Sequence, residues 1–95
     1  MIRREIHRQL NAVRYCYEQH LLTRPDMEGR VTVSFVIAPD GSVSAARVGS
    51  STLGHAATEE CIVAVIRRIH FPAVEGGGVV AVNYPFELRA RREDE

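Results

Sequence analysis

The first third of the chain repeats apolar residues at steps of three and four, which places them on one stripe of an α-helix. The stripe consists of Ile2, Ile6, Leu10, Val13, Tyr17 and Leu21. Four arginines fall off the stripe and are expected to face solvent, namely Arg3, Arg4, Arg8 and Arg14. Because proline disfavours helical geometry in the preceding residue, the helix should end before Pro25.

Two segments in the middle of the chain predict a β-hairpin. Residues 30–37 alternate apolar and polar positions, which is typical of a half-buried strand. A turn signal follows at residues 38–41, Ala-Pro-Asp-Gly, and a second strand is expected from residue 42 to about residue 51. Val43 and Val48 are an odd number of residues apart, so a β-bulge near residues 45–47 would place both on one face.

The last third of the chain predicts a second helix and a third strand. Residues 55–69 carry a helical stripe formed by Cys61, Ile62, Val65, Ile66 and Ile69. The third strand is expected over Val79, Val80, Ala81, Val82, Asn83, Tyr84, Pro85, Phe86, Glu87 and Leu88, where apolar residues again alternate. Proline cannot donate to a ladder, so the strand that contains Pro85 should lie at a sheet edge.

The order α-β-β-α-β favours an α+β fold in two layers. We expect a three-stranded antiparallel sheet with two helices on one face, formed by a single domain over residues 1–90. The remaining residues 91–95 form a charged tail.

The composition excludes two classes of partner. Twelve basic and twelve acidic residues give a formal net charge of zero, which argues against nucleic-acid binding. No apolar run approaches the roughly 20 residues of a membrane helix, so the domain itself is not expected to be membrane-embedded.

The two cysteines, Cys16 and Cys61, lie at the margins of the two apolar helical stripes. Two helices side by side on one sheet would bring these margins together. A disulfide would close a loop of about 45 residues, contribute roughly 4 kcal/mol and imply an oxidising compartment. The alternative is two separate buried thiols.

Catalysis and metal binding are two further possibilities at the same cysteines. Cys16 and His20 share a helix face, which could pair a thiolate with an imidazole, and Cys61 could complete a zinc site. No orienting group, oxyanion site or closely spaced ligand pair accompanies them. We therefore expect no enzyme activity, no metal and no cofactor.

An edge strand invites pairing by another extended segment unless it is protected. If the missing N–H of Pro85 points outward, the outward donors are those of Ala81, Asn83 and Glu87. The alternative is that Pro85 only protects the edge from pairing with another strand. The residues leave both possibilities open.

Taken together, several short motifs resemble the C-terminal domain of the TonB family over about residues 2–90. They are Cys16-Tyr17-Glu18, Leu21, Pro25, Gly29-Arg30-Val31, Asp40-Gly41-Ser42-Val43, Ser50-Ser51-Thr52-Leu53, Cys61, Phe71-Pro72 and Val82-Asn83-Tyr84-Pro85-Phe86. The two cysteines resemble the AgmX/PglI subgroup, which is associated with gliding motility in myxobacteria. One departure is that typical members carry Tyr-Pro before the first helix, whereas Tyr84-Pro85 lies in the last strand here.

The resemblance implies a periplasmic, non-enzymatic module at the end of a longer protein anchored in the inner membrane. Such domains couple an inner-membrane motor to an outer-membrane or periplasmic protein, a segment of which pairs with the last strand, here Val79 to Leu88. The resemblance also favours the Cys16–Cys61 disulfide. The alternative function is a constitutive structural domain of an envelope motility or secretion complex, and exchange of edge strands would allow a dimer.

Overall fold

Six elements follow one another in the computed structural model, which describes residues 2–73 and 76–89. They are the helices α1 (Ile2–Arg8) and α2 (Leu10–Glu18), the strands β1 (Gly29–Ile37) and β2 (Val43–Ser51), helix α3 (Ala56–Arg67) and strand β3 (Val80–Leu88). The predicted order and fold class are confirmed. The predicted charged tail, residues 91–95, lies outside the described residues.

The first predicted helix is divided in two at Gln9. The Gln9 N–H donates to the carbonyl of Ile6 at 2.9 Å, so this bond spans three residues instead of the four of an α-helix. Helix α2 begins at the next residue. The apolar stripe survives the break, since Ile6, Val13 and Tyr17 are all buried. The prediction of a single helix that ends shortly before Pro25 is therefore wrong in two details: the helix has a break, and its regular part ends at Glu18.

The three strands form one antiparallel sheet in the order β2-β1-β3. Strand β1 is central and its inward side chains are almost completely buried, namely Val31, Val33, Phe35 and Ile37. They join one hydrophobic cluster with side chains from the helices, including Val13, Tyr17, Ile62 and Ile66. The two-layer arrangement thus follows from the alternation in β1 and the stripes on the helices.

Strand β2 contains two irregularities rather than one. Its register with β1 skips Ser44 and Gly49, so the predicted bulge at residues 45–47 is misplaced. Val43 and Val48 nevertheless share one face of the sheet, as predicted, because Val43 lies opposite Ile37 and Val48 lies opposite Val33. One extra residue at Ser44 restores both valines to the helix-covered face of the sheet.

Candidate functional site

Strand β3 forms one edge of the sheet and is the more regular of the two edges. Its register with β1 runs without a shift from Gly29 opposite Leu88 to Ile37 opposite Val80. The other edge, β2, is interrupted at Ser44 and Gly49. Bulges protect an edge because they disturb the row of backbone groups that another strand would need. The regular edge of this sheet is therefore β3.

The direction of the β3 backbone groups follows from the central strand. Arg30 of β1 donates its N–H to Thr52 Oγ1 and accepts a hydrogen bond from the Thr52 N–H, each at 2.9 Å, so its backbone groups face the β2 side. Successive residues of a strand face opposite neighbours, so the residues on either side of Arg30 face β3. With Val31 opposite Phe86, the inward groups of β3 belong to its even-numbered residues.

The odd-numbered residues of β3 consequently direct their N–H and C=O groups away from the sheet. They are Ala81, Asn83, Pro85 and Glu87. Pro85 occupies a position where the missing N–H removes no bond to β1, and the other three residues supply outward donors. The predicted strand begins one residue early, because Val79 precedes β3 and is largely exposed.

The side chains of β3 alternate between two environments. Phe86 and Leu88 are buried beneath the helices, and Val80, Val82 and Tyr84 are half-buried on the same face. On the opposite face, Asn83 Oδ1 accepts a hydrogen bond from Ser34 Oγ at 2.5 Å. At the end of the strand, Glu87 pairs with Arg30 at 2.7 Å. These cross-strand contacts fix β3 against β1, and within residues 2–73 and 76–89 no strand other than β1 pairs with β3.

A groove of about 360 Å³ runs between α2 and the second half of β3. Its apolar lining comes from Leu10, Val13, Tyr17 and Leu21 on the helical side and from Tyr84, Phe86 and Leu88 on the strand side. Arg14 and Glu18 border it on the helical side, and Glu87 and Arg89 border it on the strand side. A strand added outside β3 would direct every second side chain toward this groove.

Helices α2 and α3 are joined by a disulfide between Cys16 and Cys61. Their Cα atoms lie 5.7 Å apart, within the usual range for a disulfide. Both sulfur atoms are thus engaged, and neither is a thiolate nucleophile or a metal ligand in this state. The structure therefore contradicts both alternatives at these cysteines, the pair of separate thiols and the zinc site that uses their sulfur atoms.

His20 contacts a partner that the sequence did not indicate. Its ring centre lies 4.7 Å from that of His55, the residue that caps the start of α3. His55 Nδ1 accepts the Thr58 N–H at 3.3 Å and lies 2.8 Å from Thr58 Oγ1. Histidine is not among the favoured capping residues, so neither the cap nor the histidine pair has a strong sequence signal.

Over the described ranges 2–73 and 76–89, no helix combines the length and the hydropathy needed to cross a bilayer.

Comparison with known proteins gives two matches. The sequence profile of the family described as Gram-negative bacterial TonB protein C-terminal matches residues 21–90. The NMR solution structure of the Helicobacter pylori TonB C-terminal domain is similar in fold, with a TM-score of 0.56 at 24% sequence identity. That match covers 88% of this chain and 82% of the Helicobacter pylori chain. A search of curated protein sequences gives no significant match.

Proposed function

Because the chain belongs to the TonB C-terminal domain family, we propose that it is a non-enzymatic module that binds an extended segment of another envelope protein along β3. The observation that carries this proposal is the regular outer edge of β3, with outward N–H groups at Ala81, Asn83 and Glu87. Backbone pairing at such an edge supplies affinity, and pockets for alternate side chains supply specificity.

The groove between α2 and β3 indicates which segments would fit. A partner strand would place every second side chain against an apolar lining that includes Leu21, Tyr84 and Phe86. Its other side chains would continue the open sheet face next to Ala81 and Asn83, which are exposed. The preferred segment is therefore extended, with apolar residues at alternate positions and small or polar residues between them.

We place this binding in the periplasm. Family membership supports that location, and the Cys16–Cys61 disulfide fits it because disulfides persist in oxidising compartments. The partner in this proposal is a segment of an outer-membrane or periplasmic protein. The module would connect it to an inner-membrane motor through a membrane-anchored segment that precedes this domain.

The two cysteines joined by the disulfide also suggest the cellular process in which the module acts. Their resemblance to the AgmX/PglI subgroup leads us to propose gliding motility as the process. In that setting the disulfide would hold α2 and α3 together while the domain transmits force between the two membranes.

Chemical-shift mapping tests the binding mode. A labelled sample of the 95-residue chain is titrated with peptides from candidate envelope partners and with the same peptides carrying proline at two neighbouring positions, so that one of the prolines removes an N–H that faces β3. We expect the largest amide shifts along β3 and at the groove residues of α2, and no such shifts with the proline-containing peptides. Shifts concentrated on β2 or α3 would reject pairing along β3.

A further inference from the structure

We propose that the outer surface of α1 binds the phosphate groups of an anionic lipid membrane, with the ring of Tyr15 as an adjoining contact. Helix α1 carries Arg3, Arg4 and Arg8, and all three side chains are exposed. The groove beside β3 is lined by other residues. The proposal therefore goes beyond the function proposed for the β3 edge and does not depend on it.

The zero net charge of the chain conceals an uneven distribution. Residues 2–17 contain four arginines and a single acidic residue, Glu5, so with neutral histidines this stretch has a formal charge of +3. In the part of the chain that the structure describes, no carboxylate forms an ion pair with any of the three α1 arginines, whereas Arg30 pairs with Glu87. The guanidinium groups of α1 are therefore available to an external anion.

The buried residues of the two N-terminal helices show which surface faces outward. Ile6 of α1 and Val13 of α2 are both buried in the same hydrophobic cluster, so the opposite sides of the two helices face solvent. Arg4 and Arg8 lie opposite Ile6 around the axis of α1. Tyr15 lies opposite Val13 around the axis of α2, and it is 64% exposed. The arginines and the tyrosine thus belong to one outward surface.

The chemistry of this surface fits the headgroups of anionic lipids. A guanidinium group is planar and can donate two parallel hydrogen bonds to one phosphate. Tyrosine is enriched at membrane–water interfaces, where its ring and its hydroxyl meet apolar and polar surroundings. The convex outer surface of a helix does not enclose a bounded ligand, but it can lie along an array of phosphates. We therefore assign a membrane surface, rather than an acidic protein segment, as the ligand.

The contact is peripheral and reversible, because α1 keeps its apolar side in the protein core. Ile6 is completely buried there and does not reach the lipid. Each arginine near an anionic surface should raise the affinity by about fivefold, so the three together should favour an anionic over a neutral membrane by roughly a hundredfold. This preference should fall as the salt concentration rises, because screening shortens the range of the charges.

Sedimentation of the 95-residue chain with lipid vesicles tests the proposal. We expect binding to vesicles made of equal parts of phosphatidylglycerol and phosphatidylcholine, little binding to phosphatidylcholine alone, and loss of binding at high salt. Arg4→Gln and Arg8→Gln should each weaken the binding by about fivefold, and glutamine preserves the helix because it is a good helix former. Tyr15→Gln should weaken the binding without changing its dependence on salt, because it removes an uncharged contact.

Arg47→Gln is the matched control, because it removes the same charge from the other side of the molecule. Arg47 is exposed in β2 and lies opposite Ser34, on the sheet face that the helices do not cover. This variant should bind the vesicles like the unmodified chain. Polyglutamate distinguishes lipid from an acidic protein, since it offers carboxylates without a membrane interface. The proposal is overturned if the anionic vesicles are not bound, if Arg47→Gln weakens binding as much as Arg4→Gln does, or if polyglutamate of equal charge displaces the chain from the vesicles.

Discussion

Thr32 of the central strand lies opposite Pro85 of the edge strand, and the register continues without a shift on both sides of this pair. Proline is accommodated here because the backbone groups of this residue face away from β1. The same alternation directs the N–H of Ala81 outward and the N–H of Val82 toward β1. Pro85 therefore lacks an outward N–H, and a partner strand is left with the outward N–H groups of Ala81, Asn83 and Glu87. The direction of these donors can be tested.

Proline substitution at two adjacent positions distinguishes outward from inward donors. We expect Ala81→Pro to change the free energy of unfolding by less than about 1 kcal/mol, because it removes no bond to β1. Val82→Pro removes an inward donor and should destabilise by considerably more. Urea denaturation measures both, and Val82→Ala separates the loss of the side chain from the loss of the hydrogen bond. Equal destabilisation by the two prolines would contradict the assigned directions.

The groove beside β3 gives a second test, with a control at the neighbouring residue. Leu21 lines the groove, whereas Leu22 is 93% exposed and lies outside it. Leu21→Asp should lower by about tenfold or more the affinity for any peptide whose apolar side chains enter the groove. A loss of roughly 1.4 kcal/mol of apolar contact is sufficient for a tenfold change in the dissociation constant. Leu22→Asp should leave the affinity unchanged. Fluorescence titration with a peptide identified by shift mapping measures both, and equal losses would exclude the groove.

The disulfide should account for a large share of the stability. It closes a loop with a sequence separation of 45 residues, for which the chain-entropy relation gives about 4 kcal/mol. We expect the double variant Cys16→Ala with Cys61→Ala to lose about 2–5 kcal/mol in free energy of unfolding, measured by denaturation. Reductant should destabilise the unmodified chain and leave the double variant unaffected. A loss below about 1 kcal/mol would contradict the predicted role of the link.

The sequence predicts those features that local patterns determine. Alternation in β1 and the stripes on the helices were sufficient for the element types, and Pro85 was sufficient to place β3 at an edge. No local sequence signal marks the break at Gln9 or the exact bulges at Ser44 and Gly49. The contact between His20 and His55 depends on the packing of α2 against α3, because 35 residues separate the two histidines in the chain.

Two glycines with left-handed backbone geometry should respond very differently to alanine. Gly41 has φ +96°, and a Cβ there would lie 1.9 Å from the carbonyl oxygen of Phe71, whose N–H donates to the Gly41 carbonyl. Gly54 has φ +74°, and apart from its own chain neighbours no residue has an atom within 4 Å of its Cβ position. Gly54→Ala should cost about 1 kcal/mol from backbone strain alone, and Gly41→Ala should cost several times more. Similar unfolding midpoints for the two variants would contradict the close approach of Phe71.

Asp40 should make the hairpin turn less stable in acid. Hydrogen bonds from the Ser42 N–H at 3.0 Å and the Ser42 hydroxyl at 2.7 Å lower the pKa of this carboxyl below its ordinary value. A carboxylate with a lowered pKa in the folded state contributes stability above its unfolded pKa of about 3.9, and the contribution is lost as the pH falls through the folded value. Side-chain NMR titration should therefore show Asp40 ionising below pH 3.9 or so, the ordinary aspartate value. Ser42→Ala removes the hydroxyl donor and should raise the pKa of Asp40 partway toward that value. An unchanged pKa in this variant would exclude the Ser42 hydroxyl as a cause of the shift.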